Sequence, residues 1–130
     1  MKRINQNLVK HHFEITESYQ HKYAKQVLKS WILSNNELVN EHVIKIVEER
    51  AFCMCGFVIF RPDLTVYNED GVRLFIEVLK THPVLQRKIE LIKMFLKFHD
   101  WNCRLIEIKA SWIMDQIKIP NKLKFNEFDI

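Results

Sequence analysis

Glycine and proline are scarce: two glycines and three prolines in 130 residues. That leaves no material for a flexible or proline-rich linker, and neither a low-complexity segment nor an internal repeat is visible. Cysteine is nearly as sparse, at positions 53, 55 and 103. An odd count that includes a Cys-x-Cys pair is a poor disulfide framework and fits a reducing, cytoplasmic setting. One intervening residue is also tighter than the usual zinc-knuckle spacing, and no second pair follows, so these thiols read as structural or incidental rather than as a metal site. No apolar run approaches the roughly 20 residues a spanning helix needs. The charged start, MKRINQNLVKHHFEI, is followed by no apolar core of a signal peptide. Neither secretion nor a membrane is expected.

What is present is a hydrophobic content of 48%, enough in 130 residues for one domain with its own core. The net charge of +4 and a pI near 9.0 suit contact with a polyanion, but such values are also common in proteins that never meet one.

Periodicity divides the chain into an arm over 1–15, a core over 16–110 and an extension over 111–130. A helix begins at Thr16, with Thr16 or Ser18 as its N-cap, and ends at Ser34-Asn35-Asn36; Ala24, Val27, Leu28, Trp31 and Ile32 form its buried stripe. Residues 43–49 have a strand composition. The runs 57–67 and 72–80 are rich in Val, Ile and Phe, and Asn68-Glu69-Asp70-Gly71 between them predicts a hairpin. A helix over 83–99 follows, with Pro83 in its first turn and Leu85, Lys88, Ile89, Ile92, Phe95, Leu96 and His99 on one face. Residues 102–109 read as a strand, 110–117 as a short helix or edge segment, and 118–130 as a tail docked through Ile119, Leu123, Phe125 or Phe128. The succession is αβββαβ, an α/β fold.

Each hairpin strand carries one acid, Asp63 or Glu77, inside an apolar run. A buried carboxylate needs a hydrogen-bond partner, a raised pKa or a cation, and two of them on neighbouring strands suggest a shared cation. On the first helix Glu17, His21, Lys25 and Leu28 share a quarter of the circumference. They form either an exposed i,i+4 network or a polar face turned towards the sheet. Arg61 and Arg73 would meet phosphates or pair with Glu69 or Asp70. His82 is either a residue near a helix N-terminus or a phosphate contact.

Arg61-Pro62-Asp63 on one strand, and Ile76-Glu77-Val78-Leu79-Lys80-Thr81-His82 on the next, resemble the active-site core of the PD-(D/E)XK nuclease superfamily. The string Glu17-Ser18-Tyr19-Gln20-His21-Lys22-Tyr23-Ala24-Lys25 looks like the Glu-Ser-x-x-His-x-x-x-Lys helix of the nuclease domain in CoiA-like competence proteins, a branch of that superfamily. The resemblance implies a restriction-endonuclease-like core, a central mixed sheet flanked by helices, and hydrolysis of phosphodiester bonds in DNA with Mg2+ (or Mn2+). It implies Asp63 and Glu77 as metal ligands with the Val78 backbone carbonyl, Glu17 as an accessory acid, and His21, Arg61, Arg73 and Lys80 as nucleic-acid contacts. One departure stands out. The lysine usual two residues beyond the second acid is Leu79 here, and Lys80 points to the opposite strand face. Lys88 and Lys25 are the substitutes, and relatives with Thr-His after the second acid favour Lys88 and bring in His82.

Single-stranded or branched DNA and RNA all remain open as substrates, as does a homodimer. Two rival readings are kept. One is a catalytically inactive relative that binds nucleic acid with the same sheet. The other is a protein-interaction domain presenting Trp31, Trp101, Trp112 and the tail.

Overall fold

In the computed structural model residues 19–130 are described. The amphipathic stripe of helix α1 (19–34) is the first structural consequence of the sequence. Ala24, Leu28, Trp31 and Ile32 are buried against one face of a sheet. That sheet contains β1 (Lys45–Glu48), β4 (Leu64–Asn68), β5 (Gly71–Leu79), β6 (Arg104–Lys109) and β7 (Asn126–Phe128), in that spatial order. β4 runs antiparallel to both β1 and β5, β6 is parallel to β5, and β7 closes the far edge antiparallel to β6. The return from β5 to the parallel β6 is made by helix α2 (Gln86–His99), and α3 (Ala110–Asp115) follows β6 directly.

β5 is central and buried on both faces, which explains its near-continuous apolar run. Leu74, Ile76 and Val78 join the core under α1. Phe75 faces the other way, into a second core with Ile89, Ile92, Phe95 and Leu96 of α2. By strand alternation Glu77 lies on the α2 side with Phe75. A charged residue is thus forced into the layer that α2 covers.

The fold is mixed α/β, a five-stranded mixed sheet flanked by helices. The hairpin forms across Asn68–Gly71 as the composition predicts, with Asn68 paired to Gly71 and the glycine at φ 120. The expected strand over 57–67 is instead divided at Arg61-Pro62-Asp63. Its first part, β3 (Phe57–Phe60), pairs with β2 (Phe52–Met54) in a separate two-stranded sheet. This hairpin turns at Cys55 and Gly56, both at positive φ, and Phe52 and Phe60 stack on each other and meet Phe75 and Phe95 edge-on. Asp63 is therefore just ahead of a strand rather than inside one. The second helix starts at Gln86, beyond Pro83. In the tail, Leu123 is buried and Phe128 packs on the α2-side core, whereas Ile119 and Phe125 are exposed. The predicted helix start at Thr16 lies outside the described residues.

The thiols differ sharply. Cys53 and Cys55 are exposed on the β2–β3 hairpin, whereas Cys103 is buried and its pKa is pushed up to about 12 by that burial. Since the thiolate is the reacting form, an alkylating reagent should label Cys53 and Cys55 in the native protein and Cys103 only after unfolding. Peptide mass mapping before and after denaturation reads this directly.

Candidate active site

The site forms where β4 stops and β5 continues. Leu64 pairs with Ile76, so the position across from Val78 would fall to Pro62, where the chain turns away and where there is no N–H. Val78 is buried and its backbone groups still need partners. Asp63 supplies one: its Oδ2 accepts from Val78 N at 2.7 Å. His21 of α1 supplies the other, with Nε2 2.7 Å from Val78 O and 3.5 Å from Asp63 Oδ2. Residues 57 positions apart are thereby joined around one peptide. The expected turn of the polar α1 face towards the sheet holds for His21 and Lys25.

Glu77, one residue earlier on β5, is 6% exposed, and its carboxyl is near enough to that of Asp63 for the two to interact. Burial lifts its pKa from 4.5 to about 7; the Lys88 ammonium lowers it and the Asp63 carboxylate raises it further, both by smaller amounts. Its Oε1 is buried and accepts no hydrogen bond of ordinary geometry, so its charge is met by an ion pair with Lys88. Lys88 also donates to Arg61 O at 3.1 Å, which ties the first turn of α2 to the link between β3 and β4. The lysine that interrupts the apolar α2 face thus reaches the second acid, as its position in the helix predicts.

Lys25 takes a different partner. It is buried, and Nζ donates to Glu49 Oε1 at 2.6 Å. Glu49 follows β1 at φ 56 and its N–H bonds to Asp63 O at 3.1 Å. The left-handed turn brings its carboxylate back over α1. Left-handed backbone at a non-glycine residue is uncommon and concentrates at functional sites. The sequence carried no signal for Glu49, because neither spacing nor composition links it to Lys25. Removing one member of the pair has unequal consequences, since Lys25 is sealed in while Glu49 is half in water. Glu49→Gln, which strands a buried ammonium, should cost roughly 2 kcal/mol of stability, and Lys25→Met well under 1. Urea unfolding of the two variants tests the asymmetry.

Other predicted residues are elsewhere. Arg73 is near the start of β5, roughly 13 Å of strand from Glu77. It pairs with Asp70 at 3.1 Å and donates to Asn102 O at 3.3 Å, so it belongs to the hairpin turn and not to the site. The bulge between Val66 and Tyr67 in the β4–β5 register redirects the strand there. Arg61 is exposed beside the acids, and Lys80 and His82 are exposed beyond the end of β5. Lys80 lines a cleft of about 340 Å³ with Gln20, His21 and Ser111 on the α1 side. Leu79 follows Glu77 on the same strand face, so that position holds no ammonium. Glu17 lies outside the described residues.

The donor set suits a hard divalent cation of the magnesium class. Such an ion keeps several waters and takes one or two carboxylates together with substrate oxygens. Two neighbouring carboxyls, the buried one now neutralised by Lys88, meet that need. Among the described residues no group of three or more His, Cys, Asp or Glu is placed to hold a metal ion, so protein ligands would be limited to this pair. Also among them, no helix is long and apolar enough to cross a membrane. Comparison with family models, curated proteins and solved structures finds no match to this chain.

Proposed function

We propose that the chain is a divalent-cation-dependent nuclease that hydrolyses DNA, with a restriction-endonuclease-like core of the PD-(D/E)XK type. The observation that carries this reading is the meeting of the Asp63 and Glu77 carboxyls at the end of the central strands, backed by Lys88. The succession α1, β1, β4, β5, α2, β6 supports it, with β2–β3 as an insertion before β4. So does the resemblance of the α1 residues to a CoiA-like helix.

Asp63, Glu77 and the Val78 carbonyl would hold Mg2+ or Mn2+, which when bound supplies an acidified water and a counter-charge for the phosphoryl oxygens. Lys88, which pairs with Glu77, would stand in for the lysine missing at Leu79 and steady negative charge on the phosphate. His21 keeps the Val78 peptide fixed and leaves Asp63 oriented, while Arg61, on the exposed link, is placed to meet a neighbouring phosphate. Lys25 holds Glu49 and is a positioning residue.

Incubating plasmid and single-stranded DNA with the protein in magnesium, manganese or EDTA tests the reading. Cation-dependent scission that Asp63→Asn removes is the expected outcome. Leu79 favours one second reading, an inactive relative that binds nucleic acid through the same face; it requires salt-sensitive binding with no scission under any cation.

A further inference from the structure

The end of the sheet holds a second concavity beside the acids. It has a volume of about 200 Å³ and is lined by Leu79 of β5, Glu107 and Lys109 of β6, Trp112 of α3, and Lys124, Phe125 and Asn126 of the tail. In the parallel β5–β6 register Glu77 is paired with Glu107 and Leu79 with Lys109. The cavity therefore begins on the adjoining strand, about 5 Å across and two residues beyond the Glu77 carboxyl.

Its chemistry is specific. Trp112 and Phe125 offer aromatic surface, and Phe125 is 41% exposed although it is large and apolar. The Glu107 carboxylate is engaged, accepting from Val84 N at 3.0 Å and from Asn126 Nδ2 at 3.2 Å. That second bond orients the Asn126 amide, which retains an acceptor oxygen and one further N–H. Lys109 and Lys124 are exposed at the rim. Aromatic faces, one oriented amide and two flanking ammonium groups together suit a planar heterocycle attached to phosphates. At this volume the cavity admits one ring system and is smaller than pockets for drug-sized ligands.

From this we infer that the cavity is a nucleobase pocket, which takes an unpaired base of the strand next to the phosphate held at Asp63 and Glu77. The inference rests on the nuclease reading for its substrate. It adds that the substrate is single-stranded or locally unpaired, because a base stacked within a duplex cannot enter a hollow of this size without leaving the stack. Trp112 also packs edge-on against Trp31 of α1, so the pocket wall is braced from the other face of the sheet.

The test measures binding of the full chain to a fluorescent single-stranded oligonucleotide in EDTA, where no scission occurs. The comparison ligands are the same oligonucleotide with abasic sites and a blunt duplex. Affinity should fall about tenfold on removing the bases and about tenfold with Phe125→Ala, an exposed position chosen because Trp112 variants risk the fold. Lys124→Gln should weaken intact and abasic strands alike. Equal affinity for intact, abasic and Phe125→Ala combinations overturns the pocket, even where magnesium-dependent scission is observed. Base-dependent binding without scission under any cation leaves the pocket standing and removes the nuclease reading.

Discussion

For the proposed nuclease, Glu77→Gln is expected to lower cation-dependent DNA scission by at least about a hundredfold, since it would remove one of two charged oxygen donors. The same change should alter stability in a direction that depends on pH. Glu77 has its pKa raised from 4.5 to about 7 by burial, so the metal-free native state holds a proton there that the unfolded chain releases. That contribution to stability is complete below about pH 4.5 and is lost as pH rises through 7. Glutamine has no such loss. The stability of the variant minus that of the natural protein should therefore grow by about 3 kcal/mol between pH 4 and pH 8. Urea unfolding in EDTA at both pH values measures it. A pH-independent difference would mean that the carboxyl titrates in the folded protein as it does in the unfolded chain.

Asp63 has two tasks, and substitutions separate them. Its carboxylate is both half of the acidic pair and the acceptor for the buried Val78 N–H. Alanine removes both functions and leaves that donor without a partner, which should cost about 2 kcal/mol of stability along with activity. Asparagine keeps an amide oxygen for the N–H, so Asp63→Asn should cost less than 1 kcal/mol while lowering scission by at least about a hundredfold. Asp63→Ala alone would therefore be ambiguous, as a loss of function with a loss of fold. Thermal unfolding and cleavage rates measured side by side on both variants give the two effects independently.

Much of this arrangement can be read from the linear chain, for reasons that differ residue by residue. The β4–β5 hairpin is legible because Asn68-Glu69-Asp70-Gly71 interrupts two β-branched runs. Lys88 is legible because it breaks an apolar helical face near its start, where a long side chain can return over the preceding strand. The β2–β3 hairpin is not. Its strands are short, its turn uses Cys55 in a left-handed conformation, and the run from 57 resumes after Arg61-Pro62-Asp63 with the same β-branched and aromatic composition. Glu49 and the clamp of His21 on Val78 depend on long-range packing, with partners 24 and 57 residues away, and local patterns carry no information on either. Arg73 looks like a site residue only because it stands near Glu77 in sequence; strand rise separates them and Asp70 claims it.

The central claim is that the Asp63 and Glu77 carboxyls together grip a divalent ion. Titration of Mn2+ into the full chain, followed by electron paramagnetic resonance of the free ion, tests it most directly. At pH 8 one saturable ion per chain is expected; binding should weaken at least tenfold with Asp63→Asn, and it should fade at pH 5.5, where the proton on Glu77 competes. No saturable binding at pH 8, or equal binding by the Asp63→Asn variant, would contradict the account.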